Sequence, residues 1–480
     1  MQLLPTLAIS LVSLARFGAS YPVGSWNATG NATQILRTDE PALNTTAANT
    51  NTTAGNTNTT TANTNTTRLV DATLLAAEIA NNITFGKLDI DLVNNIASDN
   101  VQAIVSGRDE AGDLILLDEN FEWYYPKAEG ADGDKTPLPS TVVHKLGPKD
   151  STTTLKLPDY IYSARVYFSD GDLQMFMVKT PDGQGLAEPS PFNPDDPNKN
   201  LNWGFAELTN SKTWGLYANL SFVDFVGMAL GLKLRRHGND TTEVKGVPTG
   251  GKHKICNDLR DQAKKDGQPW DQLCINNEEG ELMRVLSPAG LVSMNKTAFS
   301  EYWYPYTNGT ASMYSKEGIT VNTQAAAGMV KCNWQDTGSS MELQCEGDNR
   351  PYPVPTAEDI FGCNTGPFAI HEDDNDVHRA VVPRLCAALN RGTFMVDGGN
   401  VQPSVKPDQY YKTETLNWYS AVTHANQLDN RGYAFSYDDV AVDVESDTAG
   451  VVTGTNPEVL TIFVGGHNSL ASALLQEAQY

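Results

Sequence analysis

The chain runs to 480 residues and carries a formal net charge of −24 at pH 7. A surface this negative repels nucleic acid and other polyanions, and it leaves neutral polymers open as partners. The 6 cysteines include no CxxC spacing, which argues against structural zinc; in an exported chain they read as disulfides, neighbour pairing being the simplest connectivity.

Residues 1–20 hold an apolar run, LLPTLAISLVSLA, then Arg16 and the small residues Gly18, Ala19 and Ser20, the pattern of a signal peptide cleaved after Ser20. The expected location is secreted: extracellular or cell wall. Residues 21–82 are dominated by Asn, Thr and Ala, and Asn27, Asn31, Asn44, Asn51, Asn58 and Asn65 each open an N-x-T sequon. Such a tract buries too little to offset its ordering entropy and reads as a glycosylated spacer. No later run approaches the roughly 20 apolar residues that span a bilayer, and SALLQEAQY at the C-terminus is too short and polar for a lipid-anchor signal.

Residues 83–250 contain short strand-like runs, IDLVNN, VQAIVSG, DLILLD, FEWYYP, TTLKLP, SARVYFS and LQMFMV, punctuated by Gly, Asp or Pro. That texture predicts an antiparallel β domain. After the Pro- and Asp-rich loop SPFNPDDPN, the stretch WGFAELTNSKTWGLYANLSFVDFVG reads as a hairpin with one carboxylate on each arm. Phe205, Glu207 and Thr209 share a face of the first arm; Asn210, Ser211 and Lys212 supply the turn. Leu216, Ala218, Leu220 and Phe222 alternate along the second arm, and Asp224 falls on their apolar face. Residues 251–420 change in texture, with Ile255, Leu259 and Ala263 at helical spacing, further helical signals at 357–361 and 384–389, and all the cysteines. They read as a mixed α/β lobe. Residues 421–480 return to strand-like runs in GYAFSYDDVAV and EVLTIFVGG, which would complete the first sheet. The predicted fold class is mainly β with an α/β lobe, the two flanking a cleft.

An acid among apolar strand residues costs free energy unless it is paired, hydrogen-bonded or protonated, so Glu207 and Asp224 need a structural or chemical explanation. Paired carboxylates suit glycoside hydrolysis, one protonating the leaving oxygen while the other activates water or attacks the anomeric carbon. Other acids compete. Asp195 and Asp196 read as solvated turn charges, Asp438 and Asp439 as structural or cleft-lining groups, and HEDDNDVH at 371–378 as an exposed acidic loop without the spacing or Gly of a calcium loop. His424 reads as structural. Trp203, Trp214 and Tyr217 offer flat faces for stacking on sugars or for core packing. No GxSxG elbow, P-loop or dinucleotide fingerprint occurs, and no cofactor or metal is expected.

Taken in order, SARVYFSDGDL, PSPFNPDDPN, the FAELT to FVDFVG hairpin, RVLSP, IFGC, RLCAALNR and NWYSAVTHANQLDNRGYAFSYDDV resemble glycoside hydrolase family 64 over residues 83–465. The resemblance implies a thaumatin-like β-barrel or sandwich domain beside the α/β lobe, a wide cleft, and inverting cleavage of β-1,3-glucan; nothing in the sequence signals oligomerisation, and a monomer is expected. It implies that Glu207, in the FxE[FL]T motif, is the general acid and Asp224, in the VDxxG motif, the general base. Substrate contacts would fall on Thr209, Tyr217 and Ser221, with Asn210 and Trp214 as neighbours, and the product would be an oligosaccharide such as a pentasaccharide. Strict alternation puts Ser221 and Asp224 on opposite faces unless the strand bends between them, and Asn219 opens a further sequon, NLS. The alternative is a non-catalytic thaumatin-like glucan-binding or cell-wall structural glycoprotein.

Overall fold

The computed structural model describes residues 87–467, apart from 182 and 339. The expected signal peptide and Asn/Thr-rich segment lie outside the described residues. Two sheets carry the architecture. Their longer strands are β1 (Leu88–Asn94), β2 (Val101–Arg108), β3 (Leu114–Leu117), β4 (Thr152–Leu157), β5 (Ile161–Asp170), β6 (Asn202–Ser211), β7 (Gly215–Leu220), β8 (Leu230–Arg236), β9 (Thr241–Val244), β10 (Val451–Gly454) and β11 (Pro457–Val464). One sheet has the order β9-β8-β11-β1-β4. The other runs β10-β7-β6-β5-β2-β3 to an edge at Trp123–Tyr124, with His144–Lys145 also paired to β2. β1 and β11 lie parallel, Ile90 opposite Leu460.

Alternation explains these strands. In β1, Leu88, Ile90 and Leu92 are buried while Asp89 and Asp91 stay partly exposed, the period of a sheet with one face in a core. Ile90, Leu92, Leu232 and Ile462 of one sheet meet Val105, Val166, Ala206 and Ala218 of the other. Each larger side chain buried there contributes about 1.5–3 kcal/mol. The opposite face of the larger sheet carries a second apolar cluster, in which Ile104, Tyr167, Trp203 and Phe205 pack with Met175, Met177 and Leu186. This cap ends at Phe205. Beyond it the same face is polar, beginning with Arg165 and Glu207.

The helices among the described residues are α1 (Gly251–Asp266), α2 (Pro288–Met294), α3 (Tyr304–Met313), α4 (Ala357–Gly362), α5 (Asp376–Arg391) and α6 (Trp418–Ala425). A smaller five-stranded sheet built on Ile319–Asn322, Met329–Asp336 and Met341–Cys345 accompanies them. Cys256–Cys274, Cys332–Cys345 and Cys363–Cys386 are bonded, which is neighbour pairing throughout. The helical spacing of Ile255, Leu259 and Ala263 marks α1, and the signal at 384–389 is the middle of the longer α5.

Three expectations are corrected. GYAFSYDDVAV is a series of turns with one bridge at Tyr433. Its alternation is overridden because Asp438 accepts from the backbone N–H of Ala434 at 2.9 Å, a local closure that competes with a sheet ladder. HEDDNDVH is only partly an exposed loop: Asp374 and His378 are buried and gather around Arg350. Asp195 is exposed as expected, but Asp196 is buried and ties its loop together by accepting from the N–H groups of Ser190 and Asn198 at 2.9 and 2.8 Å. Short α2 and α6, which the periodicity did not mark, are capped by Ser287 before Pro288 and by Asn417 before Trp418.

Candidate active site

β6 positions Glu207 by alternation. Ala206 and Leu208 enter the core between the sheets, Trp203 and Phe205 join the outer cap, and Glu207 projects on that outer side just past Phe205. It is only 9% exposed. Its Oε1 accepts from Arg165 Nε at 3.3 Å and Nη2 at 3.4 Å, whereas Oε2 is buried with no hydrogen-bond partner among the described residues. Arg165 stands directly opposite Glu207 on β5, donates from Nη1 to Glu188 at 2.9 Å, and lies 4.7 Å from the centre of the Phe205 ring.

Asp224 reaches the same site by a different route, which corrects the hairpin reading. β6 continues through Ser211, the turn is Lys212–Trp214, and β7 ends at Leu220, before the second acid. Ser221 then makes an isolated bridge to Tyr433, and the chain bends at Val223 and Asp224. That bend breaks the alternation that would otherwise separate Ser221 from Asp224 and bury the acid among apolar groups. Its shape is held at several points. Phe222 N–H donates to Tyr433 at 2.7 Å, Tyr419 Oη donates to the Phe222 carbonyl at 2.5 Å, and Ser287 N–H donates to the Asp224 carbonyl at 2.8 Å. Phe225 and Val226 then pair with Leu286 and Val285. Gly227 completes the motif because a Cβ there would lie 2.1 Å from the Trp203 carbonyl oxygen.

The electrostatics follow from burial around one cation. Burial pushes the pKa of Glu207 up; Arg165 opposes this, and the charge of Asp224 adds to it. Burial likewise raises Asp224 against the pull of Arg165. Arg165 pairs with Glu207 and Glu188 and its charge lowers Asp224 as well, while burial raises both Glu207 and Asp224 and favours keeping a proton. A carboxyl kept protonated by burial, under the influence of a second carboxyl, is suited to general acid work with the second as base. Arg165→Met should move both limbs of a pH–rate profile to higher pH, since its cation lowers both acids, and should lower the melting temperature. Kinetics across pH would check it; an unmoved profile would show that Arg165 does not govern the pair.

Among the other expected contacts, Thr209 and Tyr217 face each other across β6 and β7 on the side of Glu207, and Ser221 follows along it. Tyr217 bonds through its hydroxyl to that of Tyr433 at 2.9 Å. Trp214 sits in the turn, 40% exposed. Asn210 is fully buried on the face of Leu208 and Leu216, away from Glu207. Trp203 is core. Sequence reasoning missed Arg165, Glu188, Tyr419 and Tyr433; only Arg165, a cation inside the alternating run SARVYFS, carried a readable signal. Asp438 and His424 bond to each other at 2.7 Å and are structural, while Asp439 is pushed up to about 6 by burial, with Arg384 opposing and Asp447 adding to the shift. The charge of Asp439 contributes to raising the pKa of Tyr217 and Tyr433, after burial. No cluster of metal-ligating side chains forms among the described residues.

The β-1,3-glucanase family, glycoside hydrolase family 64, matches the chain across residues 86–464. The chain is 24% identical over 300 residues to a glucan endo-1,3-beta-glucosidase of Cellulosimicrobium cellulans, a match covering 60% of this chain and 50% of that one. It thus spans about half the length of the curated relatives it matches. Its fold is similar to that of a laminaripentaose-producing β-1,3-glucanase solved with laminaritetraose, with a TM-score of 0.67 and 22% identity over 79% of this chain and 98% of the other. A β-1,3-glucanase domain from Clostridium beijerinckii gives a TM-score of 0.60 at 19% identity, with the same coverage of 79% and 98%. With the family match extending over most of its length, the chain belongs to glycoside hydrolase family 64, the β-1,3-glucanases.

Proposed function

We propose that the protein is a secreted, cofactor-free β-1,3-glucanase that cleaves with inversion, Glu207 serving as general acid and Asp224 as general base. The observation that carries this reading is that Glu207, buried and bonded to the Arg165 guanidinium, and Asp224, partly exposed, are both pushed up in pKa by burial and pulled down by that same cation. Glu207 gives the proton on its free oxygen to the glycosidic oxygen as the bond to the anomeric carbon breaks. Asp224 takes a proton from the water that attacks that carbon from the other side. Inversion requires room for this water, with carboxyl groups about 6.5–9.5 Å apart.

The site is read as the floor of a wide cleft between a thaumatin-like β domain and the α/β lobe. Thr209, Tyr217 and Ser221 offer hydroxyls to a neutral glucan, and the exposed ring of Trp214 offers a stacking surface. One structural relative is laminaripentaose-producing, which supports release of oligosaccharides such as a pentasaccharide here. Secretion and glycosylation rest on the leader and on the sequons.

Proton NMR of laminarin during digestion tests the mechanism. The α-anomer should appear first, before mutarotation. Initial β-anomer would exclude inversion, and retained glucan binding without cleavage would favour the non-catalytic glucan-binding reading.

A further inference from the structure

Asn219 is the cross-strand partner of Glu207: the two stand opposite each other on β7 and β6. Opposed side chains on one face of an antiparallel pair have Cβ atoms about 4.5–5.5 Å apart. The core side of β7 is taken by Ala218 and Leu220, so Asn219 points to the outer, polar face, between Glu207 and Val451 of β10. It is 2% exposed, and among the described residues its buried Oδ1 has no hydrogen-bond partner, nor has Oε2 of Glu207. Two neighbouring polar atoms thus lack partners at the point where the acid must deliver its proton.

A buried amide oxygen without a partner costs free energy that an apolar side chain would avoid. Such an atom is explained when a ligand supplies the missing donor. Resting on the glucanase reading above, we propose that Asn219 is a substrate-contacting residue, whose side-chain amide accepts a hydrogen bond from a hydroxyl of the glucose unit that Glu207 serves. A sugar hydroxyl fits the atom because it donates without bringing charge beside an acid that must stay protonated. The contact orients the sugar ring against the proton on Oε2. A corollary concerns the sequon Asn219-Leu220-Ser221: a glycan on an amide this buried would occupy the sugar's place, so active protein carries none there.

The test uses full-length protein and laminarihexaose. In a Glu207→Gln background, which binds without cleaving, adding Asn219→Ala should weaken calorimetric affinity by about tenfold, the worth of one neutral hydrogen bond. In the otherwise wild-type enzyme, Asn219→Ala should lower kcat/KM at least as much, with the melting temperature unchanged or raised. Asn219→Ser, which keeps a small polar group on the strand, carries the same test if the alanine variant does not fold. Unchanged affinity in these variants, or a glycan found on Asn219 of active protein by peptide mass spectrometry, overturns the proposal. If the wild type fails to cleave laminarin but the affinity loss is seen, the glucanase reading fails and the Asn219 contact stands. If hydrolysis is normal and the variants are silent, only the Asn219 contact fails.

Discussion

Glu207→Gln is expected to lower kcat on laminarin by about 10²–10⁴ while leaving the fold and affinity for laminari-oligosaccharides in place. The amide keeps an acceptor for Arg165 but has no proton to give, so the loss isolates acid catalysis from packing. Asp224→Asn should cost a similar factor by leaving the water without a base. The two variants differ in what they do to each other's partner. Asp224 raises the pKa of Glu207 through its charge, so Asp224→Asn should move the titration of Glu207 to lower pH, visible in the carbon-13 shift of its carboxyl. Wild-type activity should be bell-shaped, rising as Asp224 ionises and falling as Glu207 loses its proton.

The same shift predicts a stability change. A carboxyl whose folded pKa is raised contributes stability that is fully present below its unfolded pKa and is lost as pH rises through the folded value. Ionised Asp224 is therefore a liability at neutral pH, and Asp224→Asn should raise the melting temperature at pH 7 by about 1–3 °C, with less gain in acid. Activity above a tenth of wild type in either variant would remove that residue from the catalytic pair.

What could be read from the residues was what local pattern dictates. Alternation gave β1, β5, β6 and β7 and the face of Glu207; helical spacing gave α1; and cysteine order matched the disulfides found. What local pattern cannot show is where a chain bends because something distant holds it. Asp224 looked like the end of a strand face, and it enters the site because Tyr433, Tyr419 and Ser287 fix the backbone around it. Asn210 shows the opposite case: its proximity in sequence to Thr209 concealed that strict alternation, which does hold there, turns it inward. Arg165 lay in plain view as a cation in a strand, but its role depends on Glu188 and Glu207 arriving from two other segments.

Asp438→Ala is expected to cost about 3–5 kcal/mol of stability, the usual penalty for removing one partner of a buried ion pair. Asp438 is fully buried and accepts from Arg391 Nη2 at 2.9 Å, from His424 Nε2 at 2.7 Å and from Ala434 N–H at 2.9 Å. Arg391 in turn lies 4.3 Å from the centre of the Tyr410 ring and 5.3 Å from that of Phe435. Without the carboxylate, this cation remains enclosed with carbonyl and hydroxyl oxygens but no counter-charge. Burial alone would raise the pKa of Asp438, but His424 and Arg391 outweigh it and hold the group down at about 2. Because the folded value lies below the unfolded one of about 3.9, the stability it contributes is complete above the unfolded pKa and disappears as pH falls through the folded one. Wild-type protein should therefore lose stability between about pH 4 and pH 2, and Asp438→Ala should show a flatter dependence there. The effect should also reach the site. Asp438 anchors the segment that carries Tyr433, whose carbonyl and N–H hold the end of β7 and whose hydroxyl meets Tyr217; the bend that presents Asp224 depends on that anchorage. Loss of Asp438 should accordingly lower kcat/KM per folded molecule by about tenfold or more, although the residue lies outside the acid pair. Urea unfolding at pH 7 and pH 3, with kinetics on the folded fraction, measures both effects; a loss of under about 1 kcal/mol at pH 7 would mean that the Arg391 network holds the segment without Asp438.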